Sequence, residues 1–321
     1  MEKVLVLGGS YFIGKKIVEV LLSNKYDVTV LNRGSCLLDN INQLICNRNN
    51  VEEMKSTLLG KEFNYVIDVS GLNKKQSEIL CESIDSSKLK KIIFISSSAV
   101  YDVDNLSIPY AETDNLRENA YWGEYGTNKI EAENCYLSFS KKKNIDVIIL
   151  RPPYVYGENN YVQRESFIFD HLLNNKPILI PNTNSKIQFI YAKDLANIIV
   201  KIIRDDNLKT EIFNVGNREF VTFEEWIIAC SKVASIEPVI IKYDYKKHGY
   251  SERDFFPFHD YDNVLDVSKI KKIYPEETDF LLGLKEAYNW YLCEKDNIKF
   301  KEEVINNEEI INKELVNRVI D

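Results

Sequence analysis

The chain has no CxxC pair and no Cys/His cluster; its cysteines, Cys36, Cys46, Cys81, Cys135, Cys230 and Cys293, are scattered. That spacing argues against a zinc site and for reduced thiols rather than a disulfide frame, so no metal is expected. No apolar run approaches the roughly 20 residues that cross a bilayer. The N-terminus enters a strand directly, without a basic n-region, apolar core and cleavage site. A cytoplasmic protein without a membrane partner is the expectation. A basic excess is missing as well. The net charge of -8 opposes attraction to nucleic-acid phosphates, and the lysines at 141–143 read as a solvated helix end. Internal repeats and long low-complexity linkers are also absent.

What is there suits a globular fold: 321 residues, 45% hydrophobic and 28% charged, enough for one large domain or two coupled ones. Short β-branched runs at 3–7, 27–31, 65–69, 91–95 and 145–150 alternate with helical spacing such as Ile13, Ile17, Val20 and Leu21. Runs without polar alternation suit strands covered on both faces. The fold class predicted is therefore α/β, a Rossmann-type doubly wound parallel sheet with a smaller mixed C-terminal substrate region. Residues 1–155 are assigned to the dinucleotide-binding domain, with parts of about 185–235 returning to it. Residues 156–295 are assigned largely to substrate binding and 296–321 to a charged tail, read as a solvated helix with a partner-binding segment as the alternative. The aromatic group Tyr154, Tyr156, Phe189, Phe255, Phe256 and Phe258, with His259, reads as ligand-facing.

The opening segment KVLVLGGSYFIGK places strand, glycine turn and helix in the order a phosphate site requires. Gly8 and Gly9 allow a sharp turn close to a pyrophosphate, and Gly14 allows the helix to pack on the strand. The helix N-terminus adds unpaired N–H groups and its positive dipole end. Tyr11 stands where a middle glycine is usual. After the second strand, VTVLNRG carries Asn32 and Arg33 in place of the acid that selects NAD. Arg33 suits a 2′-phosphate, so NAD and NADP both stay open.

GGSYFIG, SSSAVY at 96–101, YGTNK at 125–129 and RPPYVYG at 151–157 occur in the order of extended short-chain dehydrogenases/reductases. The chain thus resembles the NAD-dependent epimerase/dehydratase family over about residues 1–292. GGSYFIG, LNRG, RESFIFDHLL and QFIYAKDLA resemble an atypical branch, which includes chloroplast stem-loop-binding proteins and bacterial sugar-nucleotide epimerase homologues. The resemblance implies Ser97, Tyr125 and Lys129 as catalytic residues. Four residues apart on one helix, Tyr125 faces substrate while Lys129 lies beneath a cofactor ribose. Bringing a tyrosine of ordinary pKa about 10 into range takes about 4 kcal/mol, which a nearby ammonium helps to supply. A second Tyr-x-x-x-Lys match, Tyr243 and Lys247, reads as chance.

The resemblance further implies cofactor contacts from Gly8, Gly9, Ser10, Tyr11, Phe12, Ile13 and Gly14, and from Asn32 and Arg33. Asn47, which stands where relatives have an adenine-binding Asp, joins them with Arg48, Ser70, Tyr125, Lys129 and Pro152. Substrate contacts fall on Ser98, on Lys186, which flanks the position of a diphosphate-binding arginine, and on Arg253. Ser98 and Ala99 replace the Asp-Glu pair of dehydratases, so a 4,6-dehydratase is disfavoured. A nucleotide-sugar epimerase acting through a keto intermediate is the preferred expectation. A reductase or dehydrogenase of the same fold, and an RNA- or protein-binding member without turnover, remain as alternatives. A homodimer is implied by resemblance alone.

Overall fold

A computed structural model describes residues 1–38 and 40–320, with side-chain burial described as far as residue 315. In chain order the elements run β1 (Lys3–Leu7), α1 (Phe12–Ser23), β2 (Asp27–Asn32), β3 (Asn42–Ile45), α2 (Val51–Leu58), β4 (Tyr65–Asp68), α3 (Lys74–Ser83), β5 (Lys91–Ile95), α4 (Glu124–Lys143), β6 (Asp146–Arg151) and β7 (Tyr154–Tyr156). They continue α5 (Glu165–Leu173), β8 (Ile178–Pro181), β9 (Lys186–Tyr191), α6 (Ala192–Arg204), β10 (Glu211–Asn214), β11 (Phe220–Thr222), α7 (Phe223–Ala234), β12 (Ile240–Tyr243), α8 (Phe280–Glu294) and α9 (Glu302–Ile320).

The chain divides into two compact units. The first comprises Met1–Val155, Gln188–Arg218 and Val264–Glu277, and holds a seven-stranded sheet in the order β10-β6-β5-β4-β1-β2-β3. Every pairing in it is parallel. The order reverses at β1, so the carboxyl ends of β1 and β4 flank the switch point where such sheets place ligands. Alternate residues of each strand feed two cores. Val4, Val6, Val28, Val30, Ile93 and Ile95 meet α1 and α6 on one face. Leu5, Leu7, Val66, Ile92 and Phe94 meet α2, α3 and α4 on the other. Full burial of each such side chain contributes about 1.5–3 kcal/mol. Asn50 and Asn73 cap α2 and α3 through their side chains.

Gln188–Arg218 and Val264–Glu277 return to this unit, whereas α7 belongs to the second. Helix α7 is held there through its apolar face, which packs against α5 and α8. The second unit comprises Tyr156–Ile187, Glu219–Asn263 and Thr278–Asp321. In it β8 and β12 pair in parallel. The phenylalanines of the aromatic group read as ligand-facing are core in this unit: Phe255, Phe256 and Phe258 are at most 1% exposed, while His259 is half-buried. Phe258 packs edge-on against Trp226, which also meets Tyr156 and Phe280. Apolar rings in an irregular segment can fill a core as readily as line a ligand. Helix α9 is not wholly solvated either. Ile311 is buried, and Glu308 lies 3.0 Å from the buried His171 ring.

Candidate functional site

The glycine turn joins β1 to α1 over the switch point. Gly8 has a φ of 87°, in the left-handed region, and its N–H donates to Leu31 O at 3.1 Å. A Cβ on Gly14 would lie 1.9 Å from Gly8 O, so only glycine lets the helix seat against the turn. The N-terminus of α1 carries neither a side-chain cap from Tyr11 nor an acid in its first turn. Its N–H groups and dipole therefore face no anion of the helix's own. Gly14→Ala is expected to lower stability by at least about 2 kcal/mol, from forced overpacking. Urea unfolding measures this, and a change within about 0.5 kcal/mol would contradict the packing argument.

Three predicted residues, Ser97, Tyr125 and Lys129, come from the end of β5 and from α4. Lys129 is 3% exposed, and its ammonium donates to Gly71 O at 2.7 Å and to Ile95 O at 2.8 Å. These carbonyls lie at or beyond the carboxyl ends of β4 and β5. The ammonium also lies 4.7 Å from the Phe94 ring centroid, and among the described residues no third acceptor takes its remaining N–H, which a ligand can use. Burial pulls Lys129 down to about 8, with the Asp68 charge opposing the fall. Because the folded value lies below that of an open lysine, the unfolded chain binds more protons between about pH 8 and 10.5. This group thus makes the fold more stable as pH rises through that window.

Tyr125 sits one helical turn before Lys129 and is 38% exposed, with the ammonium 6.0 Å from its ring centroid. Ser97 caps a short 3-10 turn, Ser98–Val100, by accepting from Ala99 N, and that turn packs against α4. The second Tyr-x-x-x-Lys match has no such frame. Tyr243 ends β12, and Lys247 pairs with Asp244 at 2.5 Å.

Beneath these residues lie two buried ion pairs that sequence reading missed. Glu133, one turn below Lys129 on α4, takes two bonds from Arg151, at 3.0 and 2.6 Å, and one from Ser96 Oγ at 2.5 Å. Arg151 also donates to Tyr101 Oη, which donates to Asn214 Oδ1. Burial pushes the Tyr101 phenol up to about 12. The second pair is Asp68 with Arg48, at 2.7 and 2.9 Å, joined by Tyr136 Oη at 2.5 Å. Burial alone would raise the Asp68 carboxyl, but Arg48 beside it and the Tyr136 hydroxyl hold it below its ordinary value. The stripe Tyr125, Lys129, Glu133 and Tyr136 at intervals of four, four and three was the available signal, since a helix cannot solvate such a face while burying it.

The other predicted residues vary in exposure and partners. The Arg48 guanidinium is buried on Asp68 and also donates to Ser70 Oγ at 2.7 Å, while its Nε has no hydrogen-bond partner among the described residues. Asn32 is saturated within the chain, donating to Ser10 Oγ and Cys36 O and accepting from Gly34 N and Gln43 Nε2. It locks the turn instead of presenting an amide to a ribose. Arg33 and Asn47 are exposed, as is Tyr11, while Phe12 is buried and Ile13 half-buried. Pro152 O accepts from Ser98 N at 2.8 Å, and Ser98 is buried. Lys186 and Arg253 belong to the second unit. The Lys186 ammonium lies 5.4 Å from the Phe220 ring centroid, and the Arg253 guanidinium donates to Pro257 O.

A glycine turn at the switch point, an uncapped helix N-terminus and a buried lysine with a donor to offer fit a nicotinamide dinucleotide. Residues 4–216 match the NAD dependent epimerase/dehydratase family, and the chain belongs to it. Among its relatives is the chloroplast stem-loop binding protein of 41 kDa b of Arabidopsis thaliana, 28% identical over 90% of this chain and 79% of that protein. A putative UDP-glucose 4-epimerase of Methanocaldococcus jannaschii is 24% identical over 89% of this chain and 97% of its own. In fold the chain is similar to the UDP-glucose 4-epimerase of Thermus thermophilus, solved with NAD, at a TM-score of 0.75, 18% identity and coverage of 90% and 99%.

Proposed function

We propose that the protein is an NAD- or NADP-dependent enzyme that epimerises a nucleotide sugar through a transient keto intermediate. The observation that carries this reading is Lys129, buried beside Tyr125 with two N–H bonds fixed on Gly71 and Ile95 carbonyls and one remaining. Bound dinucleotide supplies the hydride acceptor and donor; Gly8, Gly9 and the α1 N-terminus would hold its pyrophosphate, and Lys129 its ribose. Tyr125 takes the proton of the reacting hydroxyl and returns it when the keto group is reduced. The Lys129 ammonium favours the ionised phenol through its positive charge. Ser97, whose Oγ accepts from Ala99 N, has its hydroxyl proton to donate to the substrate oxygen. Arg33, exposed at the end of β2, is the residue on which the choice between NAD and NADP turns.

Ser98 and Ala99, both buried in the turn after Ser97, bring no acid or base for elimination, which supports epimerisation over dehydration. The test is incubation of purified protein with a panel of nucleotide sugars, with separation of epimers. Interconversion of a pair without net cofactor consumption is expected. Stoichiometric oxidation or reduction of added cofactor would replace the epimerase by a dehydrogenase or reductase. Tight binding of an RNA stem-loop, with no sugar turned over, would favour the activity in the name of the Arabidopsis relative.

A further inference from the structure

We propose that Asp68 and Arg48 form a positioning pair that keeps the Lys129 ammonium charged and seated between the ends of β4 and β5. The inference rests on the reading of Lys129 as a cofactor ligand and extends it to two residues that touch no ligand. Asp68 is fully buried at the end of β4. A Cβ on Gly71 would fall 2.4 Å from Asp68 Oδ2, so the carboxylate lies directly under the residue whose carbonyl holds Lys129. Tyr136, two turns beyond Lys129 on α4, donates to the same oxygen at 2.5 Å, which ties the helix to β4. Arg48 grips both carboxylate oxygens and reaches Ser70 Oγ. Ser70 in turn abuts Gly8, where an added Cβ would meet its Cβ at 2.7 Å. One buried network thus runs from the phosphate turn to the catalytic helix.

The two partners act on Lys129 with opposite sign. The charged groups that act on the ammonium are Asp68, Arg48 and Glu133: the two carboxylates favour its charge and the guanidinium opposes it. A lone buried carboxylate would tend to take up a proton, and Arg48 prevents that. In this arrangement the pair sets the charge of Lys129, whereas a merely structural pair would affect only its packing.

The experiment follows the ε-carbon resonance of Lys129 in isotope-labelled full-length protein, assigned by its absence in Lys129→Met, alongside NADH fluorescence across the alkaline range. Asp68→Asn is expected to move the Lys129 midpoint down by about one pH unit and to weaken NADH about fivefold near pH 8. Arg48→Gln leaves Asp68 a lone buried carboxylate that takes up a proton, so it is expected to move the midpoint down as well. The neutral pair Asp68→Asn/Arg48→Gln leaves no buried lone charge, so it serves if a single variant does not fold; its midpoint should still lie below that of the wild type. A midpoint that is unmoved or raised in either single variant or in the pair would overturn the proposal. Lowered midpoints in a protein that holds no NADH or NADPH would leave the charge coupling standing and overturn the cofactor reading.

Discussion

Tyr125→Phe is expected to lower turnover of the nucleotide sugar by about a thousandfold while leaving the dinucleotide bound as tightly as before. The substitution removes one oxygen and keeps the ring. The ring contacts with Trp122, at 5.8 Å, and with the Lys129 ammonium therefore persist. Tyr125 is more than a third exposed, so loss of its hydroxyl should change stability little. What is lost is the proton acceptor, and removal of a general base costs about 10²–10⁴ in rate. Steady-state kinetics and dinucleotide titration together check this. Turnover within about threefold of the wild type would assign the chemistry elsewhere, and equal loss of binding and turnover would make Tyr125 a cofactor-seating residue.

Glu133→Gln should produce the largest loss of stability among single side-chain changes at the site, about 3–5 kcal/mol. Arg151 is 1% exposed and cannot shed its proton, so its buried charge stays when its partner carboxylate is removed. The glutamine keeps the volume and one acceptor but supplies no charge, and Ser96 Oγ also loses an anionic partner. With a sensitivity of about 2 °C or more per kcal/mol, the melting temperature should fall by about 5–10 °C. The double variant Glu133→Leu/Arg151→Met removes both charges and should recover most of the loss. A single-variant loss below about 1 kcal/mol would mean that water or another anion reaches Arg151.

The β1–turn–α1 segment was legible because its constraints are local. Glycine positions, strand length and helix spacing all fall within about fifteen residues, and the structure bears out the Rossmann-type sheet. Tyr125 and Lys129 were legible as a pair because four residues bring two side chains to one helix face. Edge strand β3 was not read: its sequence NQLI alternates poorly and none of its residues is fully buried. Nor could the place of β10 beside β6 be read, since that pairing joins residues about sixty apart. The buried charges escaped for a different reason. Asp68, Arg48 and Arg151 look like any surface charge until their partners are known, and Glu133 shows only through the stripe on α4; the partners are distant in sequence. The saturation of Asn32 likewise depends on Ser10, Gly34, Cys36 and Gln43 meeting around it.

The central claim is that the first unit holds a nicotinamide dinucleotide at the glycine turn and Lys129 for work on a sugar. Mass spectrometry of small molecules released from the natively purified protein tests it most directly. NAD or NADP at near one equivalent per chain, lost in Lys129→Met and retained in Tyr125→Phe, is the result predicted. A wild-type protein that releases no dinucleotide and binds none when it is added would contradict the account.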